Sequence, residues 1–192
     1  NMKELILKCI LIPALKKLYQ VDFDNIKNGV SERNICARLS LHLENQMRKY
    51  DNSHKCNLFQ GYYADVEYNR MGNGNPKKYE NSEHRPQYMV SDLLIQSRGP
   101  QNNLLAVETK RKSNYKHIKE DKERLESLVS SPTQDSPANC VHDTVVGAFI
   151  RYSPNGIEMD IFENIDGKGK KTKCISLTYN HNELGNIVER CV

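Results

Sequence analysis

The sequence predicts an α/β fold with a central mixed β-sheet flanked by helices, and three observations favour it. Apolar residues recur with helical spacing through the first 50 residues. Short segments that are apolar, or that alternate between apolar and polar residues, follow as is typical of strands. One charged helical segment interrupts these strands. Helices, three strands, a helix and two or three further strands suit a mixed sheet with helices on both faces.

The composition is that of a globular protein. The 192 residues are 38% hydrophobic and 27% charged, and they predict one domain over 1–192 with an N-terminal helical extension at 1–29. The net charge of +4 is compatible with an anionic partner without demonstrating one. Six widely spaced cysteines without a C-x-x-C pair predict reduced thiols and a cytoplasmic location. Lys8 interrupts the N-terminal apolar run, which argues against a signal peptide, and no run suits a membrane span.

Two helices are predicted at the start of the chain. Residues 3–19 carry an apolar stripe, and Pro13 is expected to kink or divide that helix. A polar connector at 21–29 leads to Ser31, which suits the N-cap of a helix that ends near residue 50. The residues of this helix predicted to face the core are Ile35, Leu39, Leu43 and Met47. A loop is predicted at 51–57.

Strands are predicted for most of the remaining chain. Residues 59–70 alternate like a strand, and the glycines and polar residues of 71–83 predict a long loop. Residues 88–98 and 103–112 predict a strand pair joined by a turn at 99–102. The elements predicted after this pair are a helix at 114–130, a loop at 131–139, strands at 144–152 and 157–163, a basic turn at 167–173 and a last strand at 174–179.

The predicted strand pair contains ionisable residues within apolar runs. Asp92 lies in the first strand, and Glu108 and Lys110 lie in the second. A buried charge is costly unless it is paired or binds a metal. Glu108 and Lys110 are two residues apart and share a strand face, and Asp92 is expected to project to the same face. Two carboxylates there suit Mg²⁺ or Mn²⁺, and Lys110 could orient a water or stabilise charge on phosphorus oxygens.

These residues resemble the PD-(D/E)xK nuclease superfamily. Ser91-Asp92 stands where that family has Pro-Asp, and Glu108-Thr109-Lys110 matches its acidic-x-lysine element. The loss of the proline is a departure that leaves the aspartate in place. A structural ion-pair cluster is the alternative interpretation of the same three charges, although buried pairs add little net stability.

Further segments resemble an uncharacterised bacterial branch of nuclease-like proteins. They are Ser31-Glu32-Arg33 with Arg38-Leu39, residues 65–70 with Pro76-Lys77, and residues 92–95 with Arg98-Gly99. Gln96 stands where a histidine is expected in that branch. The resemblance covers roughly residues 30–152.

The resemblance implies a restriction-endonuclease-like fold and a Mg²⁺- or Mn²⁺-dependent nuclease that hydrolyses phosphodiester bonds in DNA. It implies that Asp92, Glu108, Lys110 and Glu32 are catalytic. The implied metal ligands are Asp92, Glu108 and the backbone carbonyl of Thr109, with Glu32 or Glu67 completing the set. Glu44 is a rival to Glu32 because it lies on the same predicted helix. Glu32 also lies where the helix dipole favours an acid regardless of function.

A basic run follows the second strand, and acids are interleaved with it, so a solvated face is the default interpretation. The residues predicted to contact nucleic acid are Arg98, Lys112, Lys116, Lys119, Lys122 and Arg124.

Other functions remain open at this point. One is a catalytically weak or inactive nuclease fold that binds nucleic acid or assembles with other chains, as an accessory of a defence or mobile-element system. A homodimer or larger complex is also open. His54-x-Cys56 and Cys140-x-His142 offer four zinc ligands, but their one-residue spacings differ from common zinc signatures.

Overall fold

The computed structural model describes residues 1–67, 75–88, 90–98, 103–137 and 140–192. The helices are α1 (Met2–Leu5), a π-helical segment (Ile6–Leu11), α2 (Ile12–Val21), α3 (Phe23–Lys27), α4 (Glu32–His54) and α5 (Ile118–Val129). The strands are β1 (Tyr62–Val66), β2 (Lys78–Glu80), β3 (Pro86–Tyr88), β4 (Leu93–Ser97), β5 (Leu105–Arg111), β6 (Val146–Ser153), β7 (Gly156–Ile165), β8 (Lys168–Asn180) and β9 (Glu183–Cys191). Predicted strand positions 68–70 and 89 and the predicted turn at 99–102 lie outside the described residues.

A seven-stranded mixed sheet forms the centre of the protein, in the order β1-β4-β5-β6-β7-β8-β9. β5 and β6 pair in parallel, and the other neighbouring strands of this sheet pair antiparallel. Parallel neighbours need a long crossover, and α5 lies in the connection between these two. β2 and β3 form a separate two-stranded sheet. The predicted α/β class with a mixed central sheet is confirmed.

Helices cover both faces of the sheet. The larger hydrophobic cluster joins the N-terminal helices and α4 to residues such as Leu93, Leu105 and Val107. The smaller cluster joins α5 to the opposite face through residues such as Leu94 and Phe149. Alternate residues of β4 and β5 therefore belong to different clusters, as the two-residue repeat of a strand requires. On α5, Leu125, Leu128 and Val129 are buried, and Ile118 is partly buried against the same cluster.

The N-terminal helix changes from π-helical to α-helical hydrogen bonding beside Pro13 but does not end there, because Leu11 and Ile12 keep right-handed helical backbone angles. The π-helical segment ends at Leu11, and Pro13 lies at the start of α2. Proline has no N–H for the carbonyl of the preceding turn, so a regular α-helix cannot run through it unchanged. Tyr19 on α2 is buried, and its hydroxyl donates to the carbonyl of Ser153 at 2.7 Å. The N-terminal residues thus pack into the main core.

Helix α4 begins where the sequence predicts and buries the predicted residues, but it ends later than predicted. The Ser31 hydroxyl accepts a hydrogen bond from the Asn34 amide at 3.2 Å, which confirms the N-cap. The four residues predicted to face the core are Ile35, Leu39, Leu43 and Met47, and all are buried. The predicted loop at 51–57 is wrong in its first half, because the helix continues to His54. Asp51 supports this extra turn by accepting from the Phe59 amide at 2.9 Å.

Several other boundaries were wrong. The connector at 21–29 contains α3, which buries Ile26 against the core. The predicted loop at 71–83 includes β2, whose partner β3 takes up the start of the predicted strand 88–98. That strand consequently begins at Leu93 rather than residue 88. Short, half-exposed strands such as β2 and β3 lack the apolar alternation on which the prediction depended.

The C-terminal region contains more strand than predicted. The expected basic turn at 167–173 is the first half of β8, and a fourth strand, β9, follows it. Lysines are tolerated in β8 because acids lie beside them: Lys171 lies 3.0 Å from Asp160, and Lys173 pairs with Glu4 and Glu189. No helix in the described part of the chain is long and apolar enough to cross a membrane.

Candidate active site

Asp92 lies immediately before β4 and is fastened to β5. Its Oδ2 atom accepts hydrogen bonds from the Thr109 amide at 2.8 Å and the Thr109 hydroxyl at 3.1 Å. Leu93 pairs with Val107, so Asp92 falls beside Glu108 on the neighbouring strand. Burial raises the pKa of Asp92, although the hydrogen bonds from Thr109 favour its charged form.

Glu108 is fully buried on the α5 face of β5. Its carboxylate lies 2.8 Å from the Arg124 guanidinium, which also lies 3.5 Å from Asp121. Burial raises the pKa of Glu108 to about 8, while the charge of Arg124 opposes that shift and Asp92 adds to it. Arg124 therefore bridges the two acids and is the counter-charge paired with Glu108.

Lys110 lies on the same face as Glu108 but pairs with Asp121 at 3.2 Å. Burial lowers the pKa of Lys110, yet the charges of Asp121, Glu32 and Asp92 outweigh it and leave the pKa above its ordinary value. The side chain is therefore an ammonium ion that can donate hydrogen bonds and cannot accept a proton.

Thr109 points to the opposite face of β5 and connects Asp92 to α4. Its hydroxyl lies 3.1 Å from the Cys36 sulfur. Thr109 and Cys36 are both buried, and burial raises the pKa of the Cys36 thiol to about 12. Thr109, whose backbone carbonyl is a predicted metal ligand, is thus held between Asp92 and α4.

Glu32 begins α4 and contacts the end of β5. Its Oε1 atom accepts from the Arg111 amide at 2.9 Å and from the Asn114 side chain at 3.0 Å. The Arg111 side chain in turn donates to the carbonyl of Val30. Glu32 is close enough to Lys110 to raise its pKa, but its hydrogen bonds are to the strand end. It shares the electrostatic environment of the site and fastens α4 to β5.

The other two candidate acids have different positions. Glu67 has a left-handed backbone with φ of 51°, and its amide donates to the Asp92 carbonyl at 3.2 Å. Its carboxylate pairs with Arg33 at 3.2 Å. Glu44 accepts from the Ala64 amide at 3.0 Å and so fastens α4 to β1. Glu67 borders the site through its backbone, whereas the hydrogen bond of Glu44 is to the edge strand.

Most of the basic residues predicted to contact nucleic acid pair with acids of the chain. These pairs are Arg98 with Asp65, Lys112 with Glu158, Lys119 with Glu123, Lys122 with Asp160 and Arg124 with Glu108. The Lys116 side chain is exposed and has no hydrogen-bond or ion-pair partner among the described residues. Gln96, at the position of the expected histidine, is buried and donates to Asp65 at 2.7 Å.

Two residues beside these groups were missed from the sequence. Asp121 lies on the α5 stripe that includes Ile118 and Leu125, and this helical spacing was a usable signal. Arg151 pairs in register with Lys110 across β5 and β6. No sequence signal indicated that pairing, because the register of two parallel strands depends on the whole crossover.

The donor set fits a hard divalent cation by its chemistry. Asp92 and Glu108 offer carboxylate oxygens from adjacent strands, and Mg²⁺ and Mn²⁺ prefer such ligands. The Asp92 Oδ1 atom has no hydrogen-bond partner in the part of the chain that the structure describes. In that same part of the chain, no group of three or more His, Cys, Asp and Glu side chains is arranged as metal ligands.

The four candidate zinc ligands contact different partners. The His54 ring stacks on Tyr50 at 4.0 Å between centroids, and the Cys56 thiol donates to Asp51. His142 instead lies 3.9 Å from Glu80.

Comparison with known proteins identifies no relative. No protein family matches the chain, and no characterised protein or solved structure is significantly similar to it. The arrangement of Asp92, Glu108 and Lys110 is therefore the basis on which a function can be argued.

Proposed function

We propose that this protein is a metal-dependent nuclease of restriction-endonuclease-like fold that hydrolyses phosphodiester bonds in DNA. One observation carries the proposal: Asp92, immediately before β4, lies beside Glu108 of β5, and Lys110 shares the face of Glu108 two residues further along β5. The resemblance of Ser91-Asp92 and Glu108-Thr109-Lys110 to the PD-(D/E)xK elements supports it.

Asp92 and Glu108 would hold the metal ion. When bound, Mg²⁺ or Mn²⁺ supplies Lewis-acid polarisation of a phosphate oxygen and lowers the pKa of water. Thr109 contributes by fixing Asp92, because its amide and hydroxyl both donate to one carboxylate oxygen. A ligand held by two hydrogen bonds loses little freedom on binding a cation.

Lys110 acts as a hydrogen-bond donor. Its raised pKa keeps it protonated at neutral pH, so it can orient a water or stabilise negative charge on the phosphorus oxygens. Asp121 holds the ammonium 3.2 Å away and maintains its charge. Lys110 is therefore assigned to charge stabilisation rather than to proton abstraction.

The test is cleavage of plasmid, linear and single-stranded DNA in Mg²⁺ or Mn²⁺. We expect Lys110→Ala to reduce the rate roughly 100-fold, because it removes a donor aimed at developing charge. Asp92→Asn and Glu108→Gln should abolish cleavage and also weaken Mn²⁺ binding in calorimetry without DNA.

Asp160→Asn is the matched control. Asp160 is also paired with two lysines, Lys122 and Lys171, but it lies two strands from β5. This variant should cut DNA at the wild-type rate. Cleavage that survives both Lys110→Ala and Asp92→Ala would sink the assignment.

One observation favours the inactive alternative, in which the fold only binds nucleic acid or assembles with other chains. Arg124 bridges Glu108 and Asp121, so the cluster compensates its own charge. If wild-type protein binds DNA but neither Mg²⁺ nor Mn²⁺ in calorimetry, this alternative replaces the nuclease.

A further inference from the structure

An exposed tyrosine lies close to the candidate active site. Tyr115 follows β5 in the chain and is 72% exposed. The guanidinium carbon of Arg151 lies 5.1 Å from the centre of its ring. A cation at this distance attracts the ring face and limits its motion. The ring is thus held in place while most of its surface remains open to solvent.

Arg151 connects this ring to the face that carries Lys110. The two residues are partners in the parallel pairing of β5 with β6. Nη2 of Arg151 donates to the carbonyl of Lys112 at 2.6 Å, which fixes the guanidinium at the end of β5. Tyr115, Arg151 and Lys110 therefore form a continuous surface at one end of the sheet.

The guanidinium of Arg151 has an unused donor. Its Nη1 atom makes no hydrogen bond with the residues that the structure describes and is not among the buried atoms without a partner. Nη1 is therefore accessible and can donate to an acceptor on a ligand. Phosphate oxygens suit the planar fork of arginine.

An open groove of about 690 Å³ adjoins the ring and is lined by Tyr115 and by Ile118 of α5. Its charged lining residues are Lys119, Glu120, Lys122, Glu123 and Glu126. Because glutamates outnumber lysines there, the groove itself does not attract phosphate.

We propose that Tyr115 and Arg151 form a nucleotide subsite that selects single-stranded DNA. The Tyr115 ring stacks on an unpaired base, and Arg151 binds an adjacent phosphate. Bases of a duplex are already stacked and paired, so they cannot reach the ring without being extruded. The inference rests on the proposed nuclease function and names the substrate form for that same site.

A second tyrosine provides a matched control. Tyr88 is 73% exposed, and the Lys78 ammonium lies 5.5 Å from its ring. These two residues belong to the separate two-stranded sheet rather than to the strands that carry Lys110. Exposure and cation contact are therefore similar, and only the relation to the site differs.

The experiment measures binding of the full chain to a fluorescent oligothymidylate and to a blunt duplex by anisotropy, with EDTA present so that no cleavage occurs. We expect Tyr115→Ala to weaken single-strand binding roughly tenfold or more, with much less effect on the duplex. Tyr115→Phe and Tyr88→Ala should bind as the wild type does. Arg151→Ala should weaken binding, and Arg151→Lys, which keeps the charge without the planar fork, should not restore it fully.

Three results would overturn the inference: wild-type protein without a preference for the single strand, no effect of Tyr115→Ala, or equal losses for Tyr115→Ala and Tyr88→Ala. Circular dichroism verifies that each variant is folded. If Arg151→Ala does not fold, the Tyr115→Ala variant tests the inference, because Tyr115 is exposed. A protein that binds single strands through Tyr115 but cuts no DNA would refute the nuclease while leaving the subsite in place.

Discussion

Arg124 is the counter-charge paired with the buried Glu108, and removing it should strongly destabilise the protein. The side chains of Glu108 and Asp121 are 2% and 7% exposed, and the Arg124 side chain is 17% exposed. Breaking a buried pair by deleting one partner costs about 3–5 kcal/mol, because the remaining charge has no solvent. We therefore expect Arg124→Met to lower the free energy of unfolding by about 3–5 kcal/mol above pH 8, where Glu108 is ionised in the folded wild type. For a chain of this size the melting temperature should fall by on the order of 10 °C.

The loss should depend on pH in a defined direction. Burial raises the pKa of Glu108, and the charge of Arg124 is the largest opposing influence. The folded wild type already binds the Glu108 proton more tightly than the unfolded chain does, and without Arg124 it binds this proton more tightly still. In both proteins stability falls as pH rises above the carboxyl pKa of the unfolded chain, which is about 4.3, and in the wild type this fall ends near pH 8, where Glu108 ionises. The loss caused by Arg124→Met should consequently be larger above pH 8 than at neutral pH.

Urea denaturation followed by circular dichroism at neutral pH and above pH 8 measures both effects. The double variant Arg124→Met/Glu108→Leu removes the uncompensated carboxylate and should recover much of the loss. A loss below about 1 kcal/mol, the level of an exposed ion pair, would refute the interpretation of Arg124 as a buried counter-charge. So would a loss that is the same at both pH values.

Three further predictions concern stability away from the site. Ser31→Ala should cost about 1 kcal/mol by removing the N-cap of α4, and an unchanged urea midpoint would contradict the cap. Gly156 has φ of 133°, and an added Cβ would lie 2.1 Å from a carbonyl oxygen of β8. Gly156→Ala should therefore lower the melting temperature more than Gly185→Ala, where the added Cβ meets nothing within 4 Å; equal shifts would count against this. The hydrogen bond from Lys173 is the main reason that the pKa of Glu4 is lowered from 4.5 to about 2. The stability that this lowered pKa contributes is therefore present above pH 4.5 and lost as pH falls towards 2. Glu4→Gln should reduce the loss of unfolding free energy between pH 4.5 and pH 2. A variant that loses as much stability over this range as the wild type would exclude the contribution of Glu4.

Sequence patterns predicted elements best where local and tertiary signals agree. Helix α4 has both an N-cap at Ser31 and a four-residue apolar repeat, so its start and buried face were predictable. β9 has neither strong alternation nor a continuous apolar run, because Leu184 is its buried hydrophobic residue and it lies at the sheet edge. The first half of β8 was missed because its lysines are compensated by acids such as Asp160 and Glu4, which are distant in sequence.

The candidate active site was also predictable only in part. The positions of Glu108 and Lys110 on one face follow from the two-residue repeat of a strand, and Asp92 beside Glu108 follows from the pairing of β4 with β5. The ion-pair partners of Glu108 and Lys110 could not be predicted from the sequence. Asp121 and Arg124 belong to a helix whose charges suggested a solvated surface, and their burial depends on how α5 packs on the sheet.

The hydrogen bonds around Thr109 determine which oxygen of Asp92 can take up a proton. The Thr109 hydroxyl has one proton, and it is donated to Oδ2 of Asp92, so the neutral thiol of Cys36 must be the donor towards Thr109. Oδ2 already accepts two hydrogen bonds, and a proton there would face two donors. Protonation of Asp92 therefore occurs at Oδ1, which is also the oxygen open to a ligand. In the proposed nuclease, a proton and a divalent cation would compete for that single atom, so acid would act as a competitive inhibitor of metal binding.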